Sequence, residues 1–91
     1  MHEQNNPYYL AQSALAQLKT AVYILLKNCR PDGLRNADVG RSLGIYMGHA
    51  DHEGHISRTL LAIMEAEGVV EQDKKSKLWT LRAVITPNSD G

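Results

Sequence analysis

Apolar residues recur at Tyr8, Ala11, Leu15, Leu18, Val22, Leu25, Leu26 and Cys29, the three-and-four spacing that lines one face of a helix. Asn6-Pro7 supplies a capping side chain and a proline at the first helical position. Arg30-Pro31-Asp32-Gly33 supplies the stop. This first helix runs for about six turns. Ala14 and Ala21 widen its apolar stripe, Gln12, Lys19 and Lys27 lie away from it, and Tyr23 and Ile24 fall off the main line. Those last two are either scattered surface apolars, which are normal, or part of an arc that a second copy covers, giving a homodimer through the N-terminal helix.

A shorter helix is expected from about Ala37 to Leu43, capped by Asn36 and stopped by Gly44. Leu34, just before it, is expected to pair as a short strand with a later hairpin. Val39 and Leu43 share the inward side at i, i+4, and Gly40 beside Val39 costs about 1 kcal/mol relative to alanine, which suggests a close approach of two helices there. The stretch from Gly44 to Gly54 has no sustained period and reads as a loop.

The third helix begins near Asp51 to Gly54 and runs to about Glu67. Ile56, Leu60, Ile63, Met64 and Glu67 share one face, Arg58, Ala62 and Glu65 lie opposite, and His55 and Thr59 flank the exposed side. Gly68 ends it. Val69 to Gln72 and Leu78 to Arg82 then read as two strands around a turn from Asp73 to Lys77, with Trp79 and Leu81 alternating toward one side. The fold class is mainly α with a small β-hairpin, and Leu18, Val22, Leu25, Val39, Leu43, Ile56, Leu60, Ile63, Val70, Trp79 and Leu81 are the expected core. The chain divides into a flexible amino terminus (1–6), one domain (7–84) and a disordered tail (85–91) of turn composition.

Composition adds limits. Ninety-one residues, 43% hydrophobic and 22% charged, fit one globular domain with a modest core. One cysteine, Cys29, excludes an intrachain disulfide and points to a reducing compartment. The polar start Met1-His-Glu-Gln-Asn-Asn6 has no signal-peptide character and no apolar run is long enough to span a bilayer, so a cytoplasmic protein without membrane contact is expected. Formal net charge is zero, which weakens any case for nonspecific binding to nucleic acid unless the charge is segregated. Lys74, Lys75 and Lys77 do gather at the hairpin turn, behind Glu65, Glu67 and Glu71.

Two patches carry a resemblance. Arg35-Asn-Ala-Asp-Val-Gly-Arg-Ser-Leu-Gly-Ile45 has a small residue at Gly40 and a glycine after its leucine. His55 to Asp73 contains the Ile-Ser-Arg-Thr-Leu run and the Glu-Gly-Val-Val ending. From Leu34 to Arg82 the chain thereby resembles the winged helix-turn-helix domains of bacterial transcriptional regulators. The resemblance implies a three-helix core closed by a two- or three-stranded antiparallel wing, with double-stranded DNA as partner. It places Ser57, Arg58 and Thr59 on a recognition helix (about 52–67) and makes the 73–77 turn the wing, and so implies transcriptional regulation or DNA targeting. The chain departs from the pattern in the long connection from Gly44 to His55, where the motif usually has a turn of three or four residues. Either the extra residues loop out or the third helix starts early.

The DNA-contacting set expected on these grounds is Arg35, Arg41, His55, Ser57, Arg58, Thr59, Lys74, Lys75 and Lys77. Arg58 leads it, since arginine can donate two bonds to guanine O6 and N7. Its bland alternative is an ion pair with Asp51 or Glu65, and that of the lysine turn is a solvated tip that discourages strand pairing. His49, His52 and His55, interleaved with Asp51 and Glu53, form the one metal-like group, but 49 and 55 cannot share a face of one helix and no tetrahedral set of four emerges. His52 and His55 fit better as imidazoles that would attract phosphate when protonated near pH 6. No phosphate loop, dinucleotide fingerprint or paired nucleophile and base is present, so neither an enzyme nor a cofactor is expected. The competing reading is a winged helix used for protein contacts, favoured by the zero net charge and the acidic Glu65, Glu67 and Glu71.

Overall fold

The structure, a computed structural model, describes residues 6–47 and 53–82. Three helices are followed by a two-stranded antiparallel hairpin: α1 (Pro7–Asn28), α2 (Asn36–Ser42), α3 (His55–Ala66), β1 (Val70–Gln72) and β2 (Trp79–Leu81). None of these helices is long and apolar enough to cross a membrane.

α1 starts where its cap lies. The Asn6 side-chain oxygen accepts the amides of Tyr8 (2.9 Å) and Tyr9 (3.2 Å), satisfying two of the donors that a helix start leaves open. In the hairpin Val70 faces Leu81, Glu71 faces Thr80 and Gln72 faces Trp79. Leu34 pairs with the free side of β2: its N–H donates to the Trp79 carbonyl (3.0 Å) and its carbonyl accepts the Trp79 N–H (2.7 Å). The strand expected at Leu34 is therefore present as one bridge, and it ties the α1–α2 link to the sheet.

The core comprises Val22 and Leu26 from α1, Val39 from α2, Leu60, Leu61 and Met64 from α3, and Val70, Trp79 and Leu81 from the hairpin. Leu18, Leu25, Leu43 and Ile56, expected inside, are only partly buried and pack against its edge, and Ile63 is also only partly buried. The correction is largest on α3. Its innermost residues are Ser57, Leu60, Leu61 and Met64, again at three-and-four spacing but rotated toward Leu61, because the helix packs against α2 on one side and α1 and β1 on another. An arc wedged between neighbours on both sides is covered out to its edge, and Ser57 and Leu61 are both fully buried within it.

Two other boundaries differ from expectation. Asn36 is the first residue of α2 and does not cap it; Arg35 takes the cap position, and its side chain makes no capping hydrogen bond. The third helix does not start early: it begins at His55, after Gly54 in the left-handed region (φ 84°). The expectations for 85–91, for 1–5 and for His49, Asp51 and His52 lie outside the described residues.

Candidate nucleic-acid interface

Arg35 and Asn36 are adjacent in sequence and reach in different directions. Arg35 Nε donates to the Ser76 carbonyl in the hairpin turn (3.4 Å), and Asn36 Nδ2 donates to the Gly54 carbonyl at the start of α3 (3.1 Å). The dipeptide thus links the lysine turn, the start of α2 and the start of α3 at one end of the molecule. Periodicity along any single helix could not reveal this convergence, since it joins segments about 20 and 40 residues apart.

The α2–α3 junction behind that end is tight. A Cβ on Gly40 would lie 2.9 Å from Ser57 Oγ and 3.0 Å from the Tyr46 ring, and one on Gly54 would lie 2.7 Å from the same ring and 2.9 Å from Asn36 Nδ2. Gly40 therefore has the packing role its position suggested. Gly54 needs both its missing side chain and its positive φ. The Gly54 N–H also donates to the Met47 carbonyl (3.0 Å), so the two ends of the long connection meet.

Ser57 is the main correction to the expected contact set. It is fully buried, and its hydroxyl lies 3.1 Å from the Gly54 carbonyl and 3.4 Å from that of Asn36. A buried hydroxyl without such partners would be costly, and here it serves the junction and faces no solvent. Arg58 and Thr59, the next two residues, are exposed. Arg58 Nη2 reaches the Glu53 carbonyl at 3.5 Å, a long contact that lays the guanidinium along the first turn of α3. It makes no ion pair with Glu65, since Lys19 with Glu67 (2.9 Å) is the ion pair found among the described residues. His55, the first residue of α3, is exposed.

Arg41 is exposed in the last turn of α2, with its guanidinium 4.5 Å from the centroid of the Tyr46 ring. That cation–π contact holds the arginine over the ring of the residue that fills the space above Gly40. Arg41 thereby belongs to the Tyr46 packing.

Lys74, Lys75 and Lys77 are all exposed on the turn. Asp73 builds that turn: its carboxylate accepts the amides of Ser76 (2.7 Å) and Lys75 (3.1 Å), its carbonyl accepts the Lys77 amide (2.8 Å), and Lys77 takes a left-handed φ of 67°. Gln72 Nε2 donates to the Lys77 carbonyl (3.2 Å) and the Leu78 N–H to Ser76 Oγ (3.2 Å). The Ser76 backbone and hydroxyl bonds, followed by the Lys75 amide, hold the Asp73 carboxyl below its ordinary value. The carboxylate is thus turned onto the backbone amides of the turn that carries the three exposed lysines. The turn expected from the sequence includes Asp73 and Ser76 without giving them a part in building it, although an aspartate three residues before a serine in a polar turn is a recognisable Asx-turn signal.

Among the described residues, no three His, Cys, Asp or Glu side chains gather closely enough to hold a metal ion. Comparison of the chain with family models, curated proteins and solved structures gives no match.

Proposed function

We propose that the chain is a winged-helix domain that binds double-stranded DNA, reading bases with the exposed side of α3 and holding phosphates with the lysine turn. The order of elements supports the fold assignment: a long helix, a one-residue strand at Leu34, two packed helices and a hairpin whose second strand accepts Leu34 as a third. The observation that carries the function is the Arg35–Asn36 link, which draws Lys74, Lys75 and Lys77 toward the end of α3 that bears His55, Arg58 and Thr59. In this reading the zero net charge of the chain hides a local cationic end, and phosphate attraction responds to local charge. Arg58 and Thr59 are the base-reading candidates, and Arg35, Lys74, Lys75 and Lys77 the phosphate contacts. Ser57 has no part in it. DNA targeting or transcriptional regulation is the activity such a domain would serve.

The test is a fluorescence-anisotropy titration with random and enriched duplexes at two salt concentrations. Lys75→Ala should weaken all duplexes alike and lower the salt slope by about one unit. Arg58→Ala should cost about 1 to 3 kcal/mol on a preferred duplex and flatten the preference among sequences. Absence of salt-dependent association of the wild-type chain at ~50 mM salt would overturn the proposal. The exposed Glu65, Glu67 and Glu71 favour the second reading, a winged helix used for protein contacts, and that result would leave it standing.

A further inference from the structure

α1 carries a second stripe, distinct from the one that enters the core. Leu10, Ala14, Gln17, Ala21 and Ile24 follow one another at spacings of four, three, four and three, which places them along one side of the helix, next to the half-buried edge occupied by Leu18 and Leu25 and away from Val22 and Leu26. Leu10 and Ile24 are each 51% exposed, although both are large and apolar, and Ala14 and Gln17 are exposed between them.

Read in either direction the stripe is the same: large apolar, alanine, glutamine, alanine, large apolar. A two-fold axis through Gln17, perpendicular to the helix, would set Leu10 against Ile24 of a second copy and bring Ala14 to within one residue of its Ala21. Gln17 would meet itself. Two primary amides facing each other can each donate to and accept from the other, and alanines on both sides of the axis let the helix backbones come close. Such an isologous contact demands self-complementarity from every residue near the axis. Charge is the usual obstacle, because a residue on the axis meets its own sign. Here no Asp, Glu, Lys or Arg occurs between Pro7 and Leu18, and α1 as a whole has no acidic residue. Its two lysines, Lys19 and Lys27, lie off the stripe, and Lys19 is held by Glu67. An antiparallel arrangement also sets the helix dipoles head to tail.

We propose that α1 pairs with α1 of a second copy of this chain, antiparallel, through Leu10, Ala14, Gln17, Ala21 and Ile24, with Gln17 on the two-fold axis. The stripe is ~21 Å long at 1.5 Å per residue and one side chain wide, so it offers less than the roughly 800 Å² per partner of a standard interface. The dimer is accordingly weak and forms in the micromolar range or above. It is independent of the DNA reading, which concerns the other elements.

Cysteine cross-linking in the full chain with Cys29→Ser tests the register, because a disulfide requires Cβ atoms about 3.5 to 4.5 Å apart. In a glutathione redox buffer Gln17→Cys should form a covalent dimer at least tenfold faster than Ala16→Cys, which lies on another side of α1. Leu10→Cys mixed with Ile24→Cys should give the mixed dimer in preference to either self-pair. Sedimentation equilibrium of the wild-type chain should show concentration-dependent dimers, weakened at least tenfold by Ile24→Glu, an exposed site where folding is not at stake. Equal cross-linking at 16 and 17, self-pairing of Leu10→Cys in preference to the mixed pair, or a monomer at millimolar concentration would each overturn the proposal.

Discussion

The two halves of α1 carry the same apolar spacing in different surroundings. Tyr8 and Leu26 are eighteen residues apart, five full turns, and so lie on the same line along the helix. Leu26 is 1% exposed and Tyr8 is 74% exposed. The carboxyl-terminal half is covered by α3 and β2, while from Pro7 to Ala14 every residue is exposed. An apolar stripe states which side of a helix can be buried. Whether it is buried depends on how far its neighbours reach, and among the described residues they reach α1 from Leu15 onward and leave Pro7 to Ala14 exposed. The amino-terminal half is held by its cap and by backbone bonds, with little tertiary packing to add.

The widest separation between the halves should come from truncation. Leu26→Ala leaves a cavity among fully buried neighbours and should lower the unfolding free energy by about 2 to 5 kcal/mol, measured by urea denaturation. A loss below 1 kcal/mol would mean that the covered half is no better packed than the uncovered one. On α3 the same contrast sets Ser57 against its neighbour Arg58. Ser57→Ala should cost about 1.5 kcal/mol of stability through its lost hydrogen bonds and leave any DNA affinity unchanged, since the hydroxyl is buried against Gly54 and Asn36. An affinity loss at full folding would return Ser57 to the interface.

A smaller and more local effect is expected at the helix start. Asn6→Ala removes the acceptor for two amides and should cost about 1 kcal/mol of helix stability. Because the first two turns lack tertiary cover, the loss should appear as faster amide exchange from Tyr8 to Ala14, with the unfolding midpoint of the domain almost unmoved. A matching drop in the midpoint would show that both halves unfold as one unit. Tyr8→Ala should have the smallest effect, within about 0.5 kcal/mol in dilute solution, as for other exposed positions. A larger loss would show that something covers Tyr8.

Local chemistry alone was enough for the elements and much of their bounds. Asn6-Pro7 starts α1, Gly68 follows α3, Leu34 joins the hairpin, and Trp79 and Leu81 alternate inward, because caps, breakers and strand alternation act over a few residues. Gly40 in a short helix likewise signalled a close approach, as its lack of a side chain is costly without one. The candidate site was legible only in part: the exposed Arg58, Thr59 and lysine turn follow from spacing and composition, whereas Arg35 reaching Ser76 and Asn36 reaching Gly54 join residues distant in sequence.

What the sequence determined by itself is therefore the set of elements and the apolar side of each. The tertiary structure decided which arc of that side is covered, turning α3 so that Ser57 and Leu61 are buried and Ile56 and Ile63 are only partly buried. It also moved Asn36 from a cap to a cross-brace and, among the described residues, left α1 from Pro7 to Ala14 exposed. The physical reason is that periodicity is a property of one helix, whereas burial is set by the number and position of the neighbours around it.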